Sequence, residues 1–104
     1  MNSVPERVLV TGLTGFTGQY LRAVLTAAGY EVHGTVRAGE AVDETHHEAE
    51  LSDTKALRDV IERVAPSHVA HLAAVSFVAH DDVAGIYSAN VIGTRNLLAA
   101  LAAS

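Results

Sequence analysis

Cysteine and tryptophan are absent from this sequence of 104 residues, and proline occurs only twice. Without cysteine, disulfide bonds and thiolate-bound metals are excluded. The longest apolar run, residues 97–103, is far shorter than the roughly twenty residues that cross a bilayer. The first residues also lack the basic start and apolar core of a secretory signal. The sequence therefore predicts a cytoplasmic protein without a transmembrane helix.

Positive charge is scarce, because seven lysines and arginines stand against twelve aspartates and glutamates, a formal net charge of −5. That sign opposes a nucleic-acid backbone, so no nucleic-acid partner is expected. Apolar side chains are plentiful, at 49% of residues, and suffice for one globular core. We expect residues 1–104 to form a single folded segment.

Strand-like and helix-like segments alternate along the chain. Short apolar runs predict about four strands, at Val8–Val10, 31–36, 48–51 and 68–73, with a surface loop over 38–45. Helical periodicity predicts three helices, which follow the first, third and fourth strands. Such alternation is typical of an α/β protein with a doubly wound parallel sheet.

Each predicted helix carries an apolar stripe that is expected to be buried. In the first helix the stripe is Phe16, Tyr20, Leu21, Val24 and Leu25. In the second it is Leu57, Val60, Ile61 and Val64, with Ser52 or Asp53 as the N-cap and Pro66 at the end. The last helix, from 81 onward, has the stripe Val83, Ile86, Tyr87, Asn90, Val91, Thr94, Leu97, Leu98 and Leu101, and a second, small-residue face with Ala89, Gly93, Asn96, Ala100 and Ala103. This second face predicts packing against another helix, in the same chain or in a second copy.

Three glycines, each three residues from the next, follow the first predicted strand. Gly12 permits a tight turn, Gly15 lets the backbone approach a pyrophosphate, and Gly18 lets helix and strand pack closely. Free amides at the start of the next helix suit an anion. Gln19 stands where a phosphate-loop NTPase needs lysine, which excludes that chemistry. The turn predicts a dinucleotide-binding site made of Gly12, Thr14, Gly15, Phe16, Thr17 and Gly18.

The residue after the second predicted strand bears on which dinucleotide is favoured. An acidic residue there selects a free ribose 2′-hydroxyl, whereas this chain has Arg37, whose guanidinium fork can hold a 2′-phosphate. We therefore expect NADP as the cofactor, with NAD possible. Two alternatives stay open: Arg37 is a solvated surface residue, or Glu40 or Asp43 in the following loop binds the ribose.

Four ordered stretches resemble one enzyme family. They are Thr11–Gly18, Glu31–Arg37, His71–Ser76 and Asn90–Leu98. Together they are similar to the extended short-chain dehydrogenases/reductases, which include nucleotide-sugar epimerases, dehydratases and reductases, and the likeness covers nearly the whole chain. Within that family, the chain most resembles the branch of GDP-mannose 4,6-dehydratases and GDP-4-dehydro-6-deoxy-mannose reductases.

The resemblance implies a Rossmann-like fold and further cofactor-binding residues. Glu50 and Leu51 would frame the adenine. Leu72, Ala73 and Ala74 would line the crevice after the fourth strand, where the small alanines leave room for the cofactor.

Two further residues would lie near the reacting groups. Ser76 would be close to the nicotinamide, although a serine bonded to its own loop backbone is an equal alternative. Asn90 would support the active-site geometry, and its place on an apolar stripe independently predicts burial with a hydrogen-bond partner.

The family's catalytic pair, a tyrosine with a lysine four residues later, is absent. Val24, Gly34 and Val91 follow the three tyrosines at that spacing. We therefore assign no catalytic residue and expect no turnover by residues 1–104 alone. The chain is expected to be the cofactor-binding first third of an NADP-dependent nucleotide-sugar reductase or dehydratase. The alternatives are a nucleotide-sugar 4-epimerase and a nucleotide-binding or regulatory module without catalysis.

The resemblance also implies a homodimer, in which the last helix pairs with the same helix of a second copy. No metal site is expected from the six histidines. His46 and His47 are adjacent in a predicted polar loop, while His68 and His71 lie on opposite faces of a predicted strand.

Overall fold

The computed structural model describes residues 5–72 and 93–103. They form β1 (Arg7–Thr11), α1 (Phe16–Ala27), β2 (Glu31–Val36), β3 (His46–Glu48), α2 (Thr54–Val64), β4 (His68–His71) and α3 (Gly93–Ala102). All strand pairs are parallel, in the spatial order β3-β2-β1-β4. The chain runs outward from β1 to β3 and then returns to the other side of β1, which confirms the predicted doubly wound, Rossmann-like α/β sheet. None of the helices in these ranges is long and apolar enough to cross a membrane.

Helices cover the sheet on both faces. On one face, Leu9 packs against α2 and α3 through Leu57, Val60, Ile61, Val64, Leu97 and Ala100. On the other, Val8 and Val10 pack with Leu13, Val32 and Val36, and Leu21 and Leu25 of α1 lie against them. This two-sided burial explains why β1 is an unbroken apolar run rather than an alternating one.

The predicted stripe of α1 is wrong at three of its positions. Phe16, Tyr20 and Val24 are 91%, 69% and 49% exposed, whereas Leu21 and Leu25 contact the core. The buried residue of this helix is Gly18, which lies against the carbonyl groups of Gly12 and Leu13. Close approach of helix and turn at Gly18 therefore sets the rotation of α1. In this rotation the side chains of Phe16, Tyr20 and Val24 face outward.

The third strand begins earlier in the chain than predicted. It contains His46 and His47, which the sequence analysis placed in a loop. The two side chains leave opposite faces of the strand: His46 contacts Arg22 of α1, and the ring of His47 stacks on His33 of β2 with centroids 5.2 Å apart. In the sheet that the described residues form, β3 lies at the edge and pairs with β2 alone, so polar side chains are compatible with it.

The bounds of α2 agree with the predicted capping. The carboxylate of Asp53 accepts a hydrogen bond from the Ala56 N–H at 3.0 Å, so Asp53 is the N-cap. The helix ends at Val64, and Ala65 adopts a left-handed conformation with φ of 49°. Because the α region is disfavoured for the residue before a proline, Pro66 reinforces this end.

The core-facing side of α3 is rotated relative to the prediction. Ala100, assigned to the small-residue face, is fully buried, while Leu98, assigned to the core stripe, is 61% exposed. Leu97 and Ala100 pack on α2 of the same chain, so the predicted helix partner is at least partly intramolecular. Residues 81–92, the predicted first half of this helix, lie outside the described residues.

Candidate functional site

The predicted cofactor-binding residues that the structure describes lie at one edge of the sheet. The glycine turn follows β1, Arg37 follows β2, Glu50 and Leu51 follow β3, and Leu72 follows β4. Because every strand pair is parallel, these segments all stand at the carboxyl ends of the strands. In open α/β sheets that edge is where ligands bind. Ala73, Ala74, Ser76 and Asn90 lie outside the described residues.

The first half of the glycine turn is anchored to β2. Gly12 has φ of +74°, as a tight turn requires, and its N–H donates to the hydroxyl of Thr35 at 3.3 Å. The N–H of Leu13 donates to the Thr35 carbonyl at 3.2 Å. The Leu13 side chain is 1% exposed and fills the space that a side chain at Gly34 would occupy, since a Cβ there would lie 2.6 Å from Leu13 Cδ2. Packing and hydrogen bonds therefore fix the turn before any ligand binds.

The second half of the turn exposes the start of α1. Gly15 is the N-cap, it supplies no side-chain hydrogen bond, and the first turn of the helix contains no acidic residue. The first N–H groups of a helix have no partner within the helix. A Cβ at Gly15 would meet only the Gly12 carbonyl oxygen, at 3.5 Å, so the space above the helix start is open to an approaching group. The arrangement suits an anion such as a pyrophosphate.

The segment after β2 forms a tight turn that carries Arg37 and Glu40. The Glu40 N–H donates to the Arg37 carbonyl, and the Arg37 N–H donates to Glu40 Oε1, both at 3.0 Å. Gly39, with φ of +86°, takes the third position of this turn. The hydroxyl of Thr14, in the glycine turn, also donates to Glu40 Oε1 at 3.0 Å. These hydrogen bonds, from the Arg37 N–H first and then from Thr14, hold the pKa of Glu40 below its ordinary value.

Glu50 and Leu51 sit between β3 and α2 in different surroundings. Glu50 is exposed, and its carbonyl accepts the Asp53 N–H in a turn. Leu51 packs against the α2–α3 cluster, and its carbonyl accepts a hydrogen bond from Asn96 Nδ2 at 2.8 Å. Asn96 thus ties the predicted adenine-binding segment to α3.

His71 links three elements at the end of the sheet, a role that the sequence analysis missed. Its Nδ1 is 2.6 Å from the hydroxyl of Thr11, and its Nε2 is 2.8 Å from the hydroxyl of Thr94. The Thr11 hydroxyl also accepts the Leu72 N–H at 2.9 Å. A neutral imidazole satisfies both contacts with one nitrogen donating and the other accepting. Burial lowers the pKa of His71, which favours this neutral form.

We expect acid to destabilise the fold through His71 and His47 before it reaches the carboxylates. Burial is the main cause of the lowered pKa of His47 too, followed by the nearby positive charge of His33. For a base whose folded pKa is depressed, the unfolded chain takes up protons first, so stability is complete above the ordinary pKa of 6.5 and declines as pH falls below it. Urea midpoints should therefore drop between about pH 7.5 and 5.5.

The double variant His47→Gln, His71→Gln should lose most of that pH dependence. His68→Gln is the matched control, because it makes the same substitution at an exposed position of β4. An unchanged slope in the double variant would contradict the assignment. The carboxylates of Glu31, Glu40 and Asp43, whose pKa values hydrogen bonds lower, act only at more acidic pH.

Within the described ranges, no group of three or more histidine, aspartate or glutamate side chains is arranged to hold a metal ion. A surface depression of about 490 Å³ among the described residues is lined by Glu48, Ala56, Asp59, Glu62 and Arg63. It lies along α2 rather than at the glycine turn, so it is separate from the predicted cofactor site.

Comparison with known proteins adds to this geometry. Residues 8–104 match the model of the NAD-dependent epimerase/dehydratase family. The chain is 34% identical to GDP-mannose 4,6-dehydratase of Vibrio cholerae, over 92% of this chain and 31% of that protein. It is 36% identical to GDP-6-deoxy-D-talose 4-dehydrogenase of Aggregatibacter actinomycetemcomitans, over 88% of this chain and 29% of that protein. Among solved structures, the UDP-glucose 4-epimerase of Thermus thermophilus, in complex with NAD, superposes with a TM-score of 0.80 at 30% identity, over 90% of this chain and 33% of that one.

Proposed function

This chain belongs to the NAD-dependent epimerase/dehydratase family, and we propose that it is the dinucleotide-binding part of a nucleotide-sugar enzyme that reduces, or dehydrates through, a 4-keto GDP-sugar. The observation that carries the proposal is the uncapped start of α1 beside a rigid glycine turn, at the carboxyl edge of a parallel sheet. The residues present fit a dinucleotide, since Gly15 leaves the approach to the helix amides open. When bound, the nicotinamide would donate or accept hydride.

The proposed division of labour follows from coverage. The chain spans about a third of the length of the relatives that it matches. We propose that residues of this chain hold the cofactor, while a tyrosine–lysine pair and the sugar site belong to the remaining part of such an enzyme. The GDP-sugar branch is favoured by the two curated relatives, whose names specify GDP-sugars. A cytoplasmic location stays a prediction.

A nucleotide-sugar 4-epimerase is the second candidate. The solved epimerase complex with NAD superposes on this chain with a TM-score of 0.80, so the cofactor-binding segment alone is compatible with either reaction. A binding module without catalysis is compatible with the same cofactor-binding segment. Turnover assays of a longer protein that includes the tyrosine–lysine pair, with GDP-keto-sugars and UDP-glucose as substrates, separate the three.

We propose that Arg37 gives the site a preference for NADP. Arg37 is exposed at the end of β2, and no described side chain forms an ion pair with it. A charge-assisted, bidentate contact to the 2′-phosphate contributes about 1.5–3 kcal/mol, so loss of that contact should weaken NADPH binding at least about tenfold.

Calorimetric titration of Arg37→Ala should show a selective loss of NADPH affinity, while NADH affinity changes little. Arg63→Ala is the matched control, because it removes the same charge from the last turn of α2, away from the carboxyl edge. Equal affinities for the two cofactors in the wild-type chain would refute the preference, although not dinucleotide binding itself.

We also propose self-association through the last helix. Leu98 is 61% exposed on α3, whereas Leu97 and Ala100 of the same helix pack on α2, so an apolar side chain is available at the surface. We expect the wild type at tens of micromolar to have the sedimentation coefficient of a dimer, and Leu98→Glu to have that of a monomer. A wild type that sediments as a monomer would contradict the proposed self-association.

A further inference from the structure

A carboxylate sits between the two segments that would hold the phosphates of a dinucleotide. Glu40 Oε1 accepts hydrogen bonds from the Arg37 N–H, at the end of β2, and from the Thr14 hydroxyl, in the glycine turn, each at 3.0 Å. The end of β2 is where the adenosine ribose is expected, and the glycine turn is where the pyrophosphate is expected. Glu40 therefore bridges the ribose side and the pyrophosphate side of the proposed site.

Hydrogen bonds hold the Glu40 carboxylate in one position, unlike the side chain of a free loop residue. The backbone of Glu40 closes the turn onto the Arg37 carbonyl, and Gly39 supplies the left-handed conformation that the turn needs. Two donors engage the same oxygen. Glu40 is only half-exposed, although its neighbours Arg37 and Gly39 are exposed. A loop carboxylate with this geometry imposes a defined charge on its surroundings.

Resting on the proposed function, we infer that Glu40 is a specificity-determining residue that opposes Arg37: its negative charge weakens binding of a ribose 2′-phosphate and leaves a 2′-hydroxyl unaffected. A 2′-phosphate adds up to two negative charges on the ribose side of the site, and like charges within a few ångströms of each other repel even in a polar environment. A ribose hydroxyl is neutral and can donate a hydrogen bond to a carboxylate oxygen. The chain thus carries a cation that favours NADP and an anion that limits the preference.

Glu40→Gln isolates the charge. The amide oxygen of glutamine can still accept from Thr14 and from the Arg37 N–H, so the turn should keep its shape. We expect NADPH to bind about tenfold more tightly to Glu40→Gln than to the wild type, and NADH by no more than about threefold. The same contrast should appear with the fragments 2′,5′-ADP and 5′-AMP, which differ only in the 2′-phosphate. The gain for NADPH should shrink in about 1 M salt, where charges are screened within a few ångströms.

The matched control is Glu44→Gln, an equal charge change at an exposed position four residues further along the same loop. It should alter neither affinity by more than about twofold, because its charge is screened by solvent. A Glu40→Gln variant that gains equally for both cofactors, or gains for neither, overturns the inference and leaves the proposed function standing. A wild-type chain that binds neither NADPH nor NADH overturns the proposed function instead. Circular dichroism of each variant establishes that the compared proteins are equally folded.

Discussion

Replacing Gly18 with alanine should destabilise the chain by about 3 kcal/mol or more, the range expected when a methyl group is forced into a packed site with no room to relax. The Cβ would lie 2.7 Å from the Leu13 carbonyl oxygen and 2.9 Å from its carbon, and closer still to the carbonyl oxygen of Gly12. These neighbours are backbone atoms of a turn that is already bonded to β2, so they cannot move aside as a flexible side chain does. Urea denaturation followed by circular dichroism measures the loss.

Gly15→Ala is the control for that result. It adds the same methyl group three residues earlier, where the nearest atom is 3.5 Å away and φ is −70°, a value that alanine adopts readily. The alanine variant at position 15 should unfold within about 1 kcal/mol of the wild type. Similar losses at positions 15 and 18 would show that the tight contact at Gly18 does not govern the packing of α1.

Gly15→Asp should lower the affinity for a dinucleotide at least about a hundredfold, while it leaves the fold intact or slightly more stable. Gly15 is an N-cap in an extended conformation with φ of −70° and ψ of 167°, in which aspartate is a favoured cap. The new carboxylate would accept hydrogen bonds from the helix N–H groups that would otherwise bind the pyrophosphate. It would also repel that anion. Stability and affinity should therefore change in opposite directions.

Thermal unfolding and calorimetric titration with NADPH and NADH measure the two effects on the same sample. Gly15→Asn separates the causes, because asparagine also caps the helix but carries no charge, and it should lose less affinity than aspartate. Retained binding in Gly15→Asp would place the anion elsewhere than at the start of α1, and would remove the main support for a dinucleotide site.

The parts of the fold that could be predicted are those in which one short stretch determines its own environment. The four apolar positions of α2 recur on one side of a helix, and all four are buried. In α1 the same reasoning selected Phe16 and Tyr20, which are exposed, because the contact that orients the helix belongs to a glycine and leaves no mark in hydrophobic periodicity. The strand at His46–Glu48 was likewise hidden, since backbone pairing to β2 defines it.

The candidate site shows the same division. The spacing of Gly12, Gly15 and Gly18 is local and predicted the turn correctly in position and conformation, with φ of +74° at Gly12. The contact between Thr14 and Glu40 joins residues 26 positions apart, and that between Thr11 and His71 joins residues 60 apart. A single sequence carries no signal of such pairings, because threonine, glutamate and histidine also occur as solvated side chains.

Leu13 and Gly34 share one space in the core, although they are 21 positions apart in the chain. The leucine is 1% exposed, and the space beside it exists only because the residue on β2 has no side chain. Neither position is therefore free to change alone: a larger residue at 34 requires a smaller one at 13, and the exchange must be made in both places at once. For protein engineering and for natural drift alike, the two residues therefore vary together. A variant library that changes only one of them at a time would miss the combinations in which a larger residue at 34 is accommodated by a smaller one at 13.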